Sequence, residues 1–324
     1  MRIVMMGTGT FAEPTLEGLL ASPHRVVGLV TQPDRAAGQE RGSTRQVGKG
    51  MKNIALAHGV PVYQPESVNT PEGVAKLREF APDLLVVAAY GQILSNDVLS
   101  VPPHGGINVH ASLLPKYRGA APIAWAIYHG EKQTGVTIIK MSVHLDAGDM
   151  LGQEAIDIGP EETAGELEAR LAPLGARLAL RVIDQIAAGT VQGVKQDKSQ
   201  ATKAPKLTKE HGLIDWSRGA EQVCNHIRAM QPWPTAYTFL HREGQQPLRL
   251  IVCRARVAEG PTEGAAPGQV VIHPDDSSRL LVAAGNGCVE IVELQPAGKR
   301  RMPAVDFLRG HPPRPSDRFG PEQS

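Results

Sequence analysis

The chain has 324 residues, with 34 Lys plus Arg against 33 Asp plus Glu. That length suits two domains with a core large enough to fold without disulfide or metal staples. The balanced charge singles out no polyanionic partner, although a local basic patch on a neutral protein would still serve one.

The opening run, Met1 to Met6, reaches Gly7 at once and reads as a first β-strand. It is too short for the apolar core of a signal peptide. No later stretch approaches the length needed to span a bilayer, so no membrane association is expected and the cytoplasm is the expected compartment. Cys224, Cys253 and Cys288 form no CxxC pair and read as thiols of a reducing compartment.

Gly7-Thr8-Gly9-Thr10-Phe11-Ala12 then matches GxGxxA, with Asp34 at the end of the next strand, about where a ribose-binding acid would stand. Taken alone this is a dinucleotide site and would make the protein a nicotinamide-dependent oxidoreductase. Any doubly wound sheet also needs a tight turn after its first strand, so the motif has a purely structural reading as well.

Apolar runs at Ile3 to Met6, Val26 to Thr31, Leu84 to Ala88 and Gly106 to His110 alternate with helix-like stretches at Glu13 to Ser22, Lys52 to His58 and Pro71 to Phe80. This alternation predicts a doubly wound, mostly parallel α/β sheet. Val136 to Met141 adds a strand, and Glu161 to Ala188 reads as a long helix.

Two polar constellations interrupt this apolar pattern. Asn108 and His110 are two apart on a strand and project from one face. A carboxamide donor and an imidazole at the carboxyl end of a parallel strand suit a carbonyl that becomes an oxyanion. They could equally satisfy backbone groups at a strand end. Ser142 to Asp149 follows the next strand, and its Asp146 is expected at the same carboxyl edge. There it would either cap its own turn or orient His110. Asp149 is the alternative turn-capper, and His144 reads as exposed.

Residues 190–209 carry Lys195, Lys198, Lys203, Lys206 and Lys209 without apolar periodicity and read as an exposed basic linker. A short strand at Gly212 to Trp216 and a helix at Gln222 to Met230 follow. Runs at Ala236 to Leu240, Leu248 to Val257, Gly268 to His273, Leu280 to Ala284 and Cys288 to Leu294 then predict a small β-barrel. The Pro- and Arg-rich tail, 312–324, reads as frayed.

The run Asn108 to Pro122, containing Ser112-Leu113-Leu114-Pro115, resembles the signature of the folate-dependent formyltransferase family, and Leu145-Asp146-Ala147-Gly148-Asp149 resembles its second half. The likeness extends from Met1 to about His311 and takes in Thr31 to Arg35, Ala88 to Leu94 and Ala204 to Leu207. Ile214-Asp215-Trp216, Pro232-Trp233-Pro234 and Leu294 to Met302 resemble the second domain of those members that formylate methionyl initiator tRNA. The members acting on glycinamide ribonucleotide lack that domain, and amino-sugar members resemble it less.

The resemblance implies a Rossmann-like catalytic domain over 1–189, the linker, and an OB-like β-barrel over 210–311 that contacts tRNA. It implies 10-formyltetrahydrofolate as co-substrate and Asn108, His110 and Asp146 as catalytic residues. The folate would lie near Tyr90, Gly91, Gln92, Ile93 and Leu94, beside Ser112, Leu113, Leu114 and Pro115. Contacts to tRNA would come from Arg35, Arg41, Arg45, Lys206, Lys299, Arg300 and Arg301. An α-amine is already partly neutral near pH 7–8, so no metal is expected to activate it. A monomer is expected. Family members usually carry Pro at the position of Gly9 and a more lysine-rich loop where this chain has Gly38 to Arg45.

Overall fold

Strands buried on both faces show unbroken apolar runs, and the first half of the chain is built on several of them. The computed structural model describes residues 1–34 and 48–323. In chain order its first elements are β1 (Arg2–Gly7), α1 (Glu13–Leu20), β2 (Arg25–Val30), α2 (Met51–Ala57), β3 (Val62–Tyr63), α3 (Pro71–Phe80) and β4 (Leu84–Ala88). Next come α4 (Asn96–Leu99), β5 (Gly106–His110), β6 (Arg118–Gly119), α5 (Pro122–Tyr128), β7 (Gln133–Lys140), β8 (Met150–Asp157) and α6 (Ala164–Ala187).

The sheet runs β3-β2-β1-β4-β5-β7-β8. Its first five strands are parallel, as the apolar runs predict. The last two are antiparallel to their neighbours. Strand order reverses between β1 and β4, which opens the crevice where open α/β sheets take ligands. Local signals set the helix limits: Thr70 accepts from the Gly73 amide to cap α3, and Pro71 fills its first position. In α6, Leu167, Leu171, Leu174, Leu178 and Val182 are buried at helical spacing. Its backbone at Gly175 lies close against Val109 and Val136. That helix therefore covers the Val109 face of β5 and leaves the Asn108 and His110 face to loops.

Contacts divide the chain into two compact units, one of Met1–Ile123, Lys132–Ile158 and Gly165–Lys206, the other of Ala124–Glu131, Gly159–Ala164 and Leu207–Ser324. The stretch read as an exposed linker is thus largely part of the first unit. Val194 bridges Met150, and β9 (Lys203–Ala204) pairs in parallel with β6. Ala204 is fully buried, whereas Lys195, Lys198, Lys203 and Lys206 stay exposed. Backbone groups that must find partners, not composition, hold this segment down.

The second unit contains α7 (Ala220–Ala229), β10 (Ala236–His241), β11 (Leu248–Ala258), β12 (Val270–His273), β13 (Asp276–Ala283), β14 (Cys288–Pro296), β15 (Met302–Pro303), α8 (Ala304–Gly310) and β16 (Arg318–Gly320). Its sheet runs β12-β13-β14-β11-β10-β16, with β15 beside β14. A bridge between Gln269 and Arg318 links the two ends of that order, so the expected barrel is nearly closed. The tail read as frayed supplies β16, and Phe319 is only 1 % exposed. The strand expected at Gly212 to Trp216 is reduced to one bridge, Leu213 to Tyr237, because Asp215 turns the chain by accepting from the Ser217 amide and hydroxyl.

Burial pushes the His226 imidazole in this unit down from 6.5 to about 4, against a lesser upward pull from its hydrogen bond to the His211 carbonyl. The unfolded chain takes up a proton near the ordinary value while the folded unit resists, so stability is lost as pH falls through that window. His226→Gln is expected to flatten the acid arm of stability, measured as urea midpoints from about pH 7 to about pH 4.

Candidate active site

Asn108 and His110 lie on the same face of β5, as their spacing requires. Asp146 reaches them by a route different from the expected one. β7 is antiparallel to β5, with Ile107 opposite Lys140 and His110 opposite Thr137. The end of β7 therefore lies beside Gly106, at the edge away from His110, where Met141 N donates to Gly106 O (2.8 Å). The segment Met141 to Asp149 then folds back over the polar face of β5. Lys140 N donates to Asp149 O at 2.9 Å to close its base. Gly148 permits the return: a Cβ there would stand 1.7 Å from the Lys140 carbonyl oxygen.

The three expected catalytic side chains meet on the Asp146 carboxylate. Asn108 Nδ2 donates to Asp146 Oδ1 (3.3 Å), and His110 Nδ1 stands 3.5 Å from Asp146 Oδ2. The Gly119 amide donates to the same Oδ2 at 2.9 Å. Asp146 has φ +47°, a left-handed conformation that Asp tolerates better than most residues. His110 Nε2 donates to the Tyr117 carbonyl (2.9 Å), which assigns a proton to that nitrogen and leaves Nδ1 facing the carboxylate. The His110 and Asp146 side chains are 5 % and 9 % exposed, so their interaction is poorly screened by solvent. Half-buried Asn108 completes a polar wall with two hydrogen-bond donors or acceptors beside a carboxylate. Such a wall can polarise a carbonyl and relay a proton.

Sequence reasoning missed the support behind this wall. Thr137, fully buried on β7, donates to Ser112 O (2.6 Å) and accepts from Leu114 N (3.1 Å). Gln153 on β8 donates to Thr137 Oγ1 (2.9 Å) and to Leu114 O (3.0 Å). Together they hold the turn from Ser112 to Pro115. The available signal was a hydroxyl inside the otherwise apolar run Val136 to Ile139.

The residues expected around the folate have divided roles. Tyr90 and Leu94 belong to a core cluster against which Met141 packs. The Tyr90 hydroxyl is buried without a partner among the described residues, and burial pushes its titration up. Gln92 spends its side chain on Val68 N and Glu66 O. Gly91 and Ile93 are exposed, Ile93 by 63 %. Ser112 is buried and donates to Lys116 O (2.7 Å), Leu114 is buried, and Leu113 and Pro115 are half-buried. This loop follows β4 and the Ser112 turn follows β5, so both stand at the carboxyl edge of the parallel strands.

Among the residues expected to contact tRNA, Arg35, Arg41 and Arg45 lie outside the described residues. Lys206 is exposed in the first unit, and Lys299 and Arg300 are exposed in the second. Arg301 pairs with Glu293, so part of its charge is already met. The dinucleotide reading gains nothing: Asp34 is engaged by Lys52 and Gln64, and those hydrogen bonds hold its carboxyl below the usual range. Gly7 is needed for packing, since a Cβ would lie 2.8 Å from Ala12 Cβ and 2.9 Å from the Ala88 carbonyl oxygen.

The formyl transferase profile matches residues 1–183, and the profile of the formyl transferase C-terminal domain matches residues 206–312. The methionyl-tRNA formyltransferase of Citrifermentans bemidjiense is 45 % identical over 320 residues, which cover 99 % of this chain and 96 % of the relative. That of Geotalea daltonii is 47 % identical over 311 residues, 96 % of each. Among solved structures, an N-formyltransferase from Helicobacter canadensis, in complex with folinic acid and dTDP-3-aminofucose, has a TM-score of 0.64 at 16 % identity, covering 89 % of this chain and 98 % of that one. HypX from Aquifex aeolicus, in complex with tetrahydrofolic acid, has a TM-score of 0.59 at 17 % identity; 95 % of this chain spans 47 % of HypX. Those two likenesses are of fold.

Proposed function

The chain belongs to the formyl transferase family and, within it, to the methionyl-tRNA formyltransferases, and on that premise we propose that it moves the formyl group of 10-formyltetrahydrofolate onto the α-amine of methionyl initiator tRNA in the cytoplasm. Residues 1–189 would do the chemistry, and the barrel over 210–311 would help hold the tRNA.

In this reading the formyl carbonyl enters the space bordered by Asn108, His110 and Asp146. The neutral α-amine attacks the formyl carbon, forming a C–N bond, and the carbonyl electrons move onto oxygen. Asn108 Nδ2 stabilises that oxyanion, joined by the imidazole once Nδ1 has taken up the proton of the adduct. Collapse of the adduct breaks the bond to N10 of the folate. The proton lost by the nitrogen that becomes cationic in the adduct passes to the Asp146 and His110 pair and on to N10, so charge balances. Because His110 Nε2 is tied to the Tyr117 carbonyl, Nδ1 is the ring atom that handles substrate oxygen or proton. Donors already fixed in a half-buried wall need no reorganisation as charge develops.

The convergence of Asn108 and His110 on one carboxylate is the observation that carries the reading. Choice of amine rests on the full-length relatives named for methionyl-tRNA. The decisive assay offers 10-formyltetrahydrofolate with charged initiator tRNA and, separately, with glycinamide ribonucleotide. Formylation of the tRNA alone is expected, and formylation of the nucleotide alone would overturn the acceptor while sparing the chemistry. Asn108→Ala is expected to lower kcat by ~10²–10³-fold, the usual cost of one oxyanion donor, with little change in KM for folate. Single-turnover rates with charged tRNA check it.

A further inference from the structure

We infer that Gln196, from the stretch that sequence reads as a linker, is a positioning residue that holds Asp146 in its working geometry; this rests on the role proposed for Asp146. Gln196 Nε2 donates to the carbonyl oxygens of Asp146 and Gly148, both at 2.8 Å. Its Oε1 accepts from Arg118 Nε (3.1 Å) and Nη2 (2.6 Å). A carboxamide has two N–H groups and two lone pairs, and all four are used here. The orientation of the amide is set by chemistry, since carbonyls only accept and a guanidinium only donates.

These bonds close a loop through the site. Arg118 precedes Gly119, and the Gly119 amide donates to the Asp146 carboxylate at 2.9 Å. Gln196 therefore grips Asp146 by its backbone, while the strand that Gln196 itself anchors grips the side chain. Asp146 has φ +47° and sits in a loop whose neighbouring residues, Val143, His144 and Leu145, are exposed. A left-handed residue in such a loop persists only where its surroundings over-determine it. The two carbonyl contacts supply that constraint, and Arg118 fixes the amide that makes them. Val194 and Met150 exchange backbone hydrogen bonds at 2.8 and 2.9 Å, which anchors Gln196 two residues from the bridge.

Gln196→Glu separates positioning from mere packing. The carboxylate keeps the size and the Arg118 contact but cannot donate, so it repels both carbonyls. Misplacing a reacting group by about 1 Å costs ~10²-fold in rate, and kcat is expected to fall on that scale with KM for both substrates changed less than ~3-fold. Gln196→Ala, which removes the amide without adding charge, gives the same pattern should the Glu variant fold poorly. In an Asp146→Asn background the same Gln196 change is expected to cost less than ~3-fold, because two residues acting through one group are not additive. A kcat within ~3-fold of wild type, a change confined to KM, or an equal loss in both backgrounds would overturn the inference. A near-normal rate in Asp146→Asn alone would instead remove the reading it rests on.

Discussion

Asp146→Asn is expected to lower kcat by ~10²–10⁴-fold, the range for loss of a positioned acid–base group, while leaving the fold intact. Asparagine is nearly isosteric and tolerates positive φ well, so the backbone at φ +47° survives the exchange. Its amide oxygen can still accept from the Gly119 amide, which removes the main structural penalty. The carboxylate itself disappears, and with it the negative charge opposite His110 Nδ1 and the acceptor for Asn108 Nδ2. An Asn amide group turned toward Asn108 would set donor against donor. The effect should fall on kcat, because proton transfer belongs to the chemical step and not to substrate capture. Pre-steady-state formylation at saturating substrates, with thermal midpoints in parallel, measures it. A rate within ~3-fold of wild type would remove the proposed mechanism.

The second large effect is on stability. Asp317→Ala is expected to destabilise the barrel unit by ~3–5 kcal/mol, the cost of breaking a buried ion pair by removing one partner. Arg242 and Asp317 are 7 % and 1 % exposed and 2.8 Å apart. The arginine also donates to the carbonyl oxygens of Pro312 (2.8 Å) and His311 (3.3 Å), and Arg314 N donates to Asp317 Oδ2 (2.9 Å). Alanine would strand the guanidinium in the interior and release the turn that delivers β16. With it go the hydrogen bonds that close the barrel, Val270 N to Asp317 O (2.9 Å) and Phe319 N to Gly268 O (2.7 Å). The pair is already imperfect, since Arg242 Nε and Asp317 Oδ1 find no partner among the described residues. Arg242→Met with Asp317→Leu should therefore cost much less than Asp317→Ala, because no charge is left buried. Urea unfolding followed by tryptophan fluorescence suits the test, since Trp216 packs against Phe319 at a ring distance of 5.8 Å. An equal loss in the double variant would show that packing, not charge, dominates.

Periodicity and turn residues are local properties, and wherever one element decides the outcome the sequence is enough. The unbroken apolar runs of β1 and β4, the spacing that puts Asn108 and His110 on one face, and the alternating runs of β10 to β14 are all of this kind. The glycine-rich turn after β1 also shows the limit of local reading: it carries a dinucleotide motif, yet Gly7 is explained by packing and Asp34 by Lys52 and Gln64.

What tertiary structure alone decided is partnership between distant backbones. The direction of β7 cannot be read from its own residues, because a buried strand looks the same pointing either way. That direction is why Asp146 must return across the sheet to reach Asn108 and His110. Gln196 and Phe319 sit in stretches whose composition reads as linker and frayed end. Their places come from carbonyls at Asp146 and Gly148 and from the open edge left by β10 and β12, all far away in the chain. A polar backbone or side-chain group must find a partner once water is excluded, and that partner is chosen by what folding brings near it.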